Sequence, residues 1–247
     1  RRYSILRFCL DDWRFRKNWS LLHLKIGLPM AFQFSITAIG VMVLQKAINA
    51  FGSTTIAAYT AASKVEMLAT QPLQTLGITM ATYCGQNLGA GKISRIRRGV
   101  VRSLQICAVC CAACALLVVL GGRFFVGLFL DGDQPAVVDQ AQQYLNTIAV
   151  FFIMLGVLFI FRNALQGMGS TMVPMLAGAM ELVMRVLVAF LLPPVIGYAA
   201  ICIASPVAWI GAVIPLTICY FLLMRRLRAR YPEDKAASVQ AVSQHTD

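Results

Sequence analysis

Six long apolar segments constrain this chain more than any other feature of its sequence. They run over about 21–47, 56–84, 100–120, 137–165, 172–192 and 199–224. A helix needs about 20 mostly apolar residues to cross a hydrocarbon core of about 30 Å. We therefore predict an all-α integral membrane protein with six transmembrane helices. The apolar stretch 124–130, between the third and fourth segments, is a candidate for a short interfacial helix.

The composition fits this class and argues against a nucleic-acid-binding protein. Hydrophobic residues make up 59% of the chain and charged residues 13%, about half of the usual 25% in soluble proteins. The formal net charge is +12, but the basic residues cluster beside the apolar segments, where the cytoplasmic face of a membrane needs them. No basic stripe with interleaved aromatic residues is present. We expect a lipid bilayer as partner and no nucleic acid.

The distribution of basic residues predicts the orientation. Of the Lys and Arg residues near segment ends, 18 fall on one side, including Arg162, and two (Lys46 and Arg123) on the other. Because the side rich in Lys and Arg is normally cytoplasmic, both termini are predicted in the cytoplasm. Residues 1–20 are interpreted as a basic linker without a visible signal peptide, 21–230 as a six-span lobe, and 231–247 as a disordered tail.

The second segment carries two ionisable residues, Lys64 and Glu66, at membrane depth. Such a charge costs about 2.5–3.5 kcal/mol on insertion scales, so it normally has a partner or a function. Side chains two residues apart on a helix point to nearly opposite sides, so these two cannot neutralise each other. Pro72 breaks a backbone hydrogen bond nearby and frees a carbonyl beside a cavity. We rank Glu66 first as a proton or cation site, with a structural ion pair as the alternative.

The fifth segment carries a second carboxylate, Glu181, four residues before Arg185. This order is favourable for an ion pair within a helix, so the pair can satisfy itself. Glu181 is therefore the second candidate for cation coupling. Polar and flexible side chains elsewhere in the segments are candidates for the lining of a cavity: Gln33, Met67, Gln71 and Gln74.

Four cysteines of the third segment share one helix face: Cys107, Cys110, Cys111 and Cys114. A metal site and close packing against a neighbouring helix are the two interpretations. No His or acidic residue lies in that segment to complete a ligand set, so we favour packing. We predict neither a metal ion nor a cofactor.

Two glycine-rich motifs close apolar segments on the predicted cytoplasmic side. The second segment ends in Gly85-Gln86-Asn87-Leu88-Gly89-Ala90-Gly91-Lys92, and the fourth ends in Leu165-Gln166-Gly167-Met168-Gly169-Ser170-Thr171, followed by Pro174. Gly89 and Gly91 are expected to allow positive φ and close backbone approach at a tight turn. A nucleotide-binding loop is disfavoured because no strand precedes the motif and the P-loop spacing is missing.

Together these motifs resemble signatures of the multidrug and toxic compound extrusion (MATE) family. Ala61-Ala62-Ser63-Lys64-Val65-Glu66 and Ile26-Gly27-Leu28-Pro29 are similar to its bacterial DinF-like branch. Members have twelve spans in two six-helix lobes around a central cavity, and they exchange protons or sodium ions for organic cations or other amphiphiles. The resemblance implies that this chain is the C-terminal lobe of such an antiporter, in a bacterial cytoplasmic membrane.

The same resemblance implies the partners and the coupling ion. They are small organic cations or drugs and an N-terminal six-helix lobe outside this sequence. Some branches carry an acid in the first segment for sodium, whereas this chain has Gln33 and Gln45 there. Protons are therefore favoured over sodium ions.

Three alternative functions compete with an antiporter. A lipid-linked oligosaccharide flippase of the same superfamily would need a cavity lined by basic residues. A non-transporting fragment would serve only in assembly with a first lobe. An intramembrane enzyme is disfavoured because the segments hold no Ser/His or paired-aspartate set, so we predict no enzymatic activity.

Overall fold

The structure is a computed structural model that describes residues 17–130 and 134–232. The predicted basic linker, up to residue 16, and the predicted tail, from residue 233, lie outside the described residues. Within these ranges the chain forms eight helices: α1 (Lys17–Asn49), α2 (Ser53–Gly89), α3 (Ile93–Gly127), α4 (Pro135–Ala149), α5 (Phe152–Gly167), α6 (Met172–Leu191), α7 (Pro193–Ile196) and α8 (Tyr198–Arg230).

Each predicted membrane segment coincides with one helix or, in one case, with a pair of helices. In the described part of the chain, α1, α3, α6 and α8 are long and apolar enough to cross a membrane, and the bent pair of α4 and α5 makes a fifth span. Helix α2 has 37 residues, which is long enough, but it is too polar to meet the same criterion. The prediction of an all-α membrane lobe is confirmed.

Two details of the predicted segments were wrong. The fourth segment is not one continuous span, because α4 and α5 meet at 54° across Val150 and Phe151. No proline or glycine stands at the bend. Both helices pack against α2, α3 and α8, and α2 is the main partner of α5. The stretch 124–130 is not a separate interfacial helix, because α3 continues to Gly127 with Val126 fully buried.

Small residues bring α2 and α5 together in backbone contact. A Cβ added at Gly77 would lie 3.0 Å from the carbonyl oxygen of Phe159, and one added at Gly85 would lie 3.0 Å from that of Gly167. A Cβ on Gly167 itself would overlap the carbonyl group of Ala81. Small residues spaced four apart are the usual contact surface between membrane helices. The two glycine-rich motifs therefore touch each other.

Both motifs end their helices with the same turn. In the first, the amide of Lys92 donates to Asn87 O (2.8 Å) and the amide of Gly91 donates to Leu88 O (3.0 Å). The second repeats this pattern around Gly169, and the two glycines have φ of 69° and 83°. These are Schellman turns, which need a left-handed residue. Gly89 has neither the positive φ nor the close backbone approach that was expected. It is the last residue of α2, with φ in the ordinary helical range and open space around it.

The cysteine face of α3 packs against α5. A Cβ on Gly156 would overlap the sulfur of Cys107, and Cys111 donates to the carbonyl oxygen of Phe152 at 3.3 Å. The two sulfurs lie 3.7 Å apart. Cys107 and Cys111 thus fill a close helix contact, as expected of small, weakly polar residues.

Candidate functional site

Helix α2 presents a polar stripe on the outside of the lobe. Thr60, Lys64, Met67, Gln71 and Gln74 are all exposed, and their spacing of three or four residues places them on one face of the helix. Elsewhere the exposed surface is mostly large apolar side chains, such as Val109 at 71% and Leu120 at 76%. Polar side chains at membrane depth face a water-filled cavity or another protein surface rather than lipid.

Glu66 lies beside this stripe and points toward α4. It is half-buried, and its Oε2 accepts a hydrogen bond of 2.8 Å from the Tyr144 hydroxyl. Tyr144 is 1% exposed, and the ring of Tyr59 packs edge-on against it at 5.2 Å between centroids. No basic residue in the described ranges forms an ion pair with Glu66. Its carboxylate therefore has a neutral donor on one oxygen and can take a proton on the other.

Lys64 is turned away from Glu66, as their spacing predicts. Its Nζ lies 5.5 Å from the centroid of the Phe129 ring, which is a favourable position for a cation over an aromatic face. Thr60 and Lys64 line a small cavity of about 210 Å³ with Phe129 and Leu130. Lys64 therefore lies on the exposed stripe and does not pair with the Glu66 carboxylate.

Glu181 holds two arginines in the interior of the lobe. Its two oxygens accept hydrogen bonds from Arg185 (2.9 Å) and Arg162 (2.8 Å), and all three side chains are buried. Gly40 of α1 makes room, because a Cβ there would lie 2.8 Å from Nη1 of Arg185. The cluster carries two positive charges and one negative charge. Neither arginine Nε has a hydrogen-bond partner among the described residues.

The place of Arg162 corrects the sequence analysis. It was counted with the cytoplasmic basic residues because it precedes the end of the fourth segment by a few residues. In the structure it is 8% exposed and bonded to Glu181 of α6, 19 residues away. A guanidinium in the interior of a membrane lobe needs such a partner, and only the tertiary fold supplies it.

Gln33 was expected to line a cavity, and this was wrong. It is 3% exposed, and its Oε1 accepts a hydrogen bond of 2.8 Å from Nε2 of Gln166. An amide inside a membrane lobe is stabilised when it finds such a partner. Gln166, expected only as a turn residue, thus joins the end of α5 to α1.

The remaining motif residues have local roles. Asn87 donates from Nδ2 to the carbonyl oxygen of Tyr83 at 2.8 Å, and Gln86 is exposed. Pro174 is buried in the first turn of α6, where proline leaves no hydrogen bond unmade.

The two candidate carboxylates thus have different surroundings. Glu66 accepts one hydrogen bond, from a tyrosine hydroxyl, beside the exposed stripe. Both oxygens of Glu181 accept hydrogen bonds from arginines. The partner role of Tyr144 and the buried position of Arg162 were not predicted from the sequence. A signal existed for Tyr144, because a tyrosine hydroxyl inside an apolar segment requires a polar partner.

Comparisons with known proteins agree with this architecture. The family model described as MatE matches residues 29–191, well over half of the chain. A relative from Bacillus subtilis (strain 168), named probable multidrug resistance protein YpnP, is 27% identical over 61% of this chain and 34% of its own. A FAD transporter of Shewanella oneidensis is 24% identical over 89% of this chain and 47% of its own.

A solved structure has the same fold. It is described as the outward-facing conformation of a multidrug resistance MATE family transporter of the MOP superfamily. It superposes with a TM-score of 0.81 at 18% identity, covering 90% of this chain and 50% of that one. The chain therefore spans half or less of the length of the proteins that it matches. With the family model covering most of its membrane segments, this chain belongs to the multidrug and toxic compound extrusion (MATE) family.

Proposed function

We propose that this chain is the C-terminal half of a secondary active efflux antiporter that exchanges protons for amphiphilic or cationic organic compounds. The observation that carries the proposal is the polar stripe on α2, with Glu66 at its side. A polar surface at membrane depth needs water or protein next to it, which a second six-helix lobe around a cavity would supply. The Bacillus subtilis relative, named a probable multidrug resistance protein, supports drugs as the substrate class.

The proposal places residues 21–230 as one lobe in a bacterial cytoplasmic membrane, with both termini inside. Gly91 and Tyr231 lie close together, since a Cβ added to Gly91 would be 3.5 Å from the tyrosine ring. The turn after α2 and the end of α8 therefore share one end of the bundle. Most basic residues of α3 and α8 lie at this end, which supports a cytoplasmic position.

Glu66 is the proposed proton site. When it is ionised, its carboxylate accepts the hydrogen bond of Tyr144. A proton arriving at the free oxygen removes the negative charge and converts that oxygen from an acceptor into a donor. Glu66 then changes how it binds water, substrate and α4. A cycle that loads the proton from outside and releases it inside would couple the proton gradient to substrate export.

Glu66→Gln tests this proposal in a transporter assembled from this chain and an N-terminal six-helix lobe of the same family. The amide imitates the protonated carboxyl group, so we expect normal membrane abundance and substrate binding but no substrate-induced proton release in proteoliposomes. Asp139→Asn is the matched control, because it neutralises an exposed carboxylate of α4 that pairs with Arg123. Export by Glu66→Gln at the control's rate and pH dependence would place the coupling site elsewhere.

A second candidate substrate class is a nucleotide-like anion. It is favoured by the relative named as a FAD transporter and by Lys64, a cation on the exposed stripe. Lys64→Gln separates the two classes: it should abolish transport of an anion and leave or improve transport of an organic cation. A lipid-linked oligosaccharide flippase has less support, because Arg162 and Arg185 are bonded to Glu181 inside the lobe.

A further inference from the structure

A groove between α2 and α3 combines three exposed arginines with an apolar wall. Its volume is about 630 Å³, within the usual range of about 300–1,000 Å³ for small-molecule sites. Arg95, Arg98 and Arg102 line it from α3, and Leu76 and Ile106 are among its apolar residues. No carboxylate of the described residues pairs with these arginines, which are all exposed. The groove lies outside the Glu66 and Glu181 sites.

The arginines converge because of their spacing. Positions three and four residues apart lie on one helix face, with Cβ atoms about 5–6 Å apart. Arg95, Arg98 and Arg102 therefore form one basic strip along nearly two turns. A guanidinium binds phosphate oxygens with two parallel N–H donors, so the strip fits a phosphodiester anion.

A polar atom inside the groove also lacks a partner. Ser103 is 3% exposed and lines the groove, yet its Oγ has no hydrogen-bond partner among the described residues. A buried hydroxyl left without a partner is destabilising, and a phosphate or glycerol oxygen would accept its hydrogen bond. Gly99 keeps the groove open, since a Cβ there would overlap the ring of Tyr83.

The apolar wall of the groove favours a lipid over a soluble phosphate compound as its ligand. Along α3 at 1.5 Å per residue, Ile106 lies about 6 Å deeper than Arg102, and its side chain is 54% exposed. An acyl chain can cover this surface while the headgroup phosphate contacts the arginines. Basic pockets between membrane helices on the cytoplasmic side are suited to anionic headgroups. We infer that this groove binds one anionic phospholipid of the leaflet in which the arginines lie.

Native mass spectrometry of the purified chain tests the site independently of transport. The probes are phosphatidylglycerol and phosphatidylethanolamine with identical acyl chains, and glycerol 3-phosphate as a soluble competitor. We expect phosphatidylglycerol to bind about tenfold more tightly than phosphatidylethanolamine. The soluble competitor, at the lipid's concentration, should displace none of it, because it lacks acyl chains.

Two triple variants that lose the same charge distinguish binding in the groove from general electrostatic attraction of anionic lipid to the protein. R95Q/R98Q/R102Q should bind both lipids alike, whereas R225Q/R226Q/R228Q, at the exposed end of α8, should keep the preference. Ser103→Ala should weaken phosphatidylglycerol binding severalfold, because it removes a donor to the phosphate or glycerol oxygens. Equal losses in the two triple variants, or an unchanged preference in the first, would overturn the inference. Displacement of the lipid by glycerol 3-phosphate would also overturn the inference, as would the absence of a preference for phosphatidylglycerol in the unmodified chain. Both results are obtained with the unmodified chain, so they do not depend on whether a variant folds.

Discussion

Replacing Glu181 by glutamine should destabilise the lobe more than removing either of its arginines. The substitution keeps size and shape but removes the single negative charge between Arg162 and Arg185. The cluster then changes from a net charge of +1 to +2 with no counterion in contact. Removing one partner from a buried ion pair costs about 3–5 kcal/mol, so we expect a loss of at least this size in the free energy of unfolding.

The arginine variants supply the comparison. Arg162→Gln and Arg185→Gln each leave one neutral pair, Glu181 with the other arginine. Each loses one hydrogen bond to a charged group, which is worth about 1.5–3 kcal/mol. The double variant Glu181→Gln/Arg162→Gln should be more stable than the sum of the single losses predicts, because it returns the net charge to +1 and the residues are in direct contact.

The assay is unfolding of the purified chain by sodium dodecyl sulfate in mixed micelles, with membrane abundance measured in parallel. The expected order of stability is unmodified chain, then each arginine variant, then Glu181→Gln. If Arg162→Gln lost as much stability as Glu181→Gln, charge balance would not govern this cluster. Side-chain packing would then be the better account.

Three other predictions follow from the fold. Gly167→Ala should lower the free energy of unfolding by about 1–3 kcal/mol, because its Cβ would overlap the carbonyl of Ala81. Gly89→Ala should be neutral, because open space surrounds that position. Equal thermal stability of the two variants would contradict the backbone contact at Gly167. In a cysteine-free background, an impermeant thiol reagent should label Ser53→Cys in intact cells and Ser94→Cys only after permeabilisation, and labelling of Ser94→Cys from outside would reverse the topology. Finally, the chain produced alone should insert but not export dye, so proton-driven efflux by the purified monomer in liposomes would refute the need for a second lobe.

Much of the fold was predictable because lipid imposes simple requirements. The six apolar segments and the two glycine-rich turns were readable from composition and spacing alone. The bend at Val150 and Phe151 was not, because neither residue is of a type that breaks or kinks a helix.

The candidate site was predictable only in part. Spacing showed that Lys64 and Glu66 face apart and that Glu181 can reach Arg185. It could not show that Gln33 meets Gln166, or that Arg162 meets Glu181, because these partners lie on different helices. Residues near the end of a segment are ambiguous, since the same arginine suits the membrane surface and a buried ion pair equally well.

The polarity of α2 has a consequence for how the lobe is made. A segment as polar as α2 gains less free energy from partitioning into lipid than the other long helices do, since each polar side chain lowers the gain from insertion. Its glycine contacts lie on α5, which leaves the ribosome more than sixty residues later. Of its two neighbours in sequence, α3 makes far more contact with α2 than α1 does, so during synthesis α2 depends chiefly on α3 to hold it in the bilayer. The helix that carries the proposed proton site is also the one whose insertion relies on its neighbours.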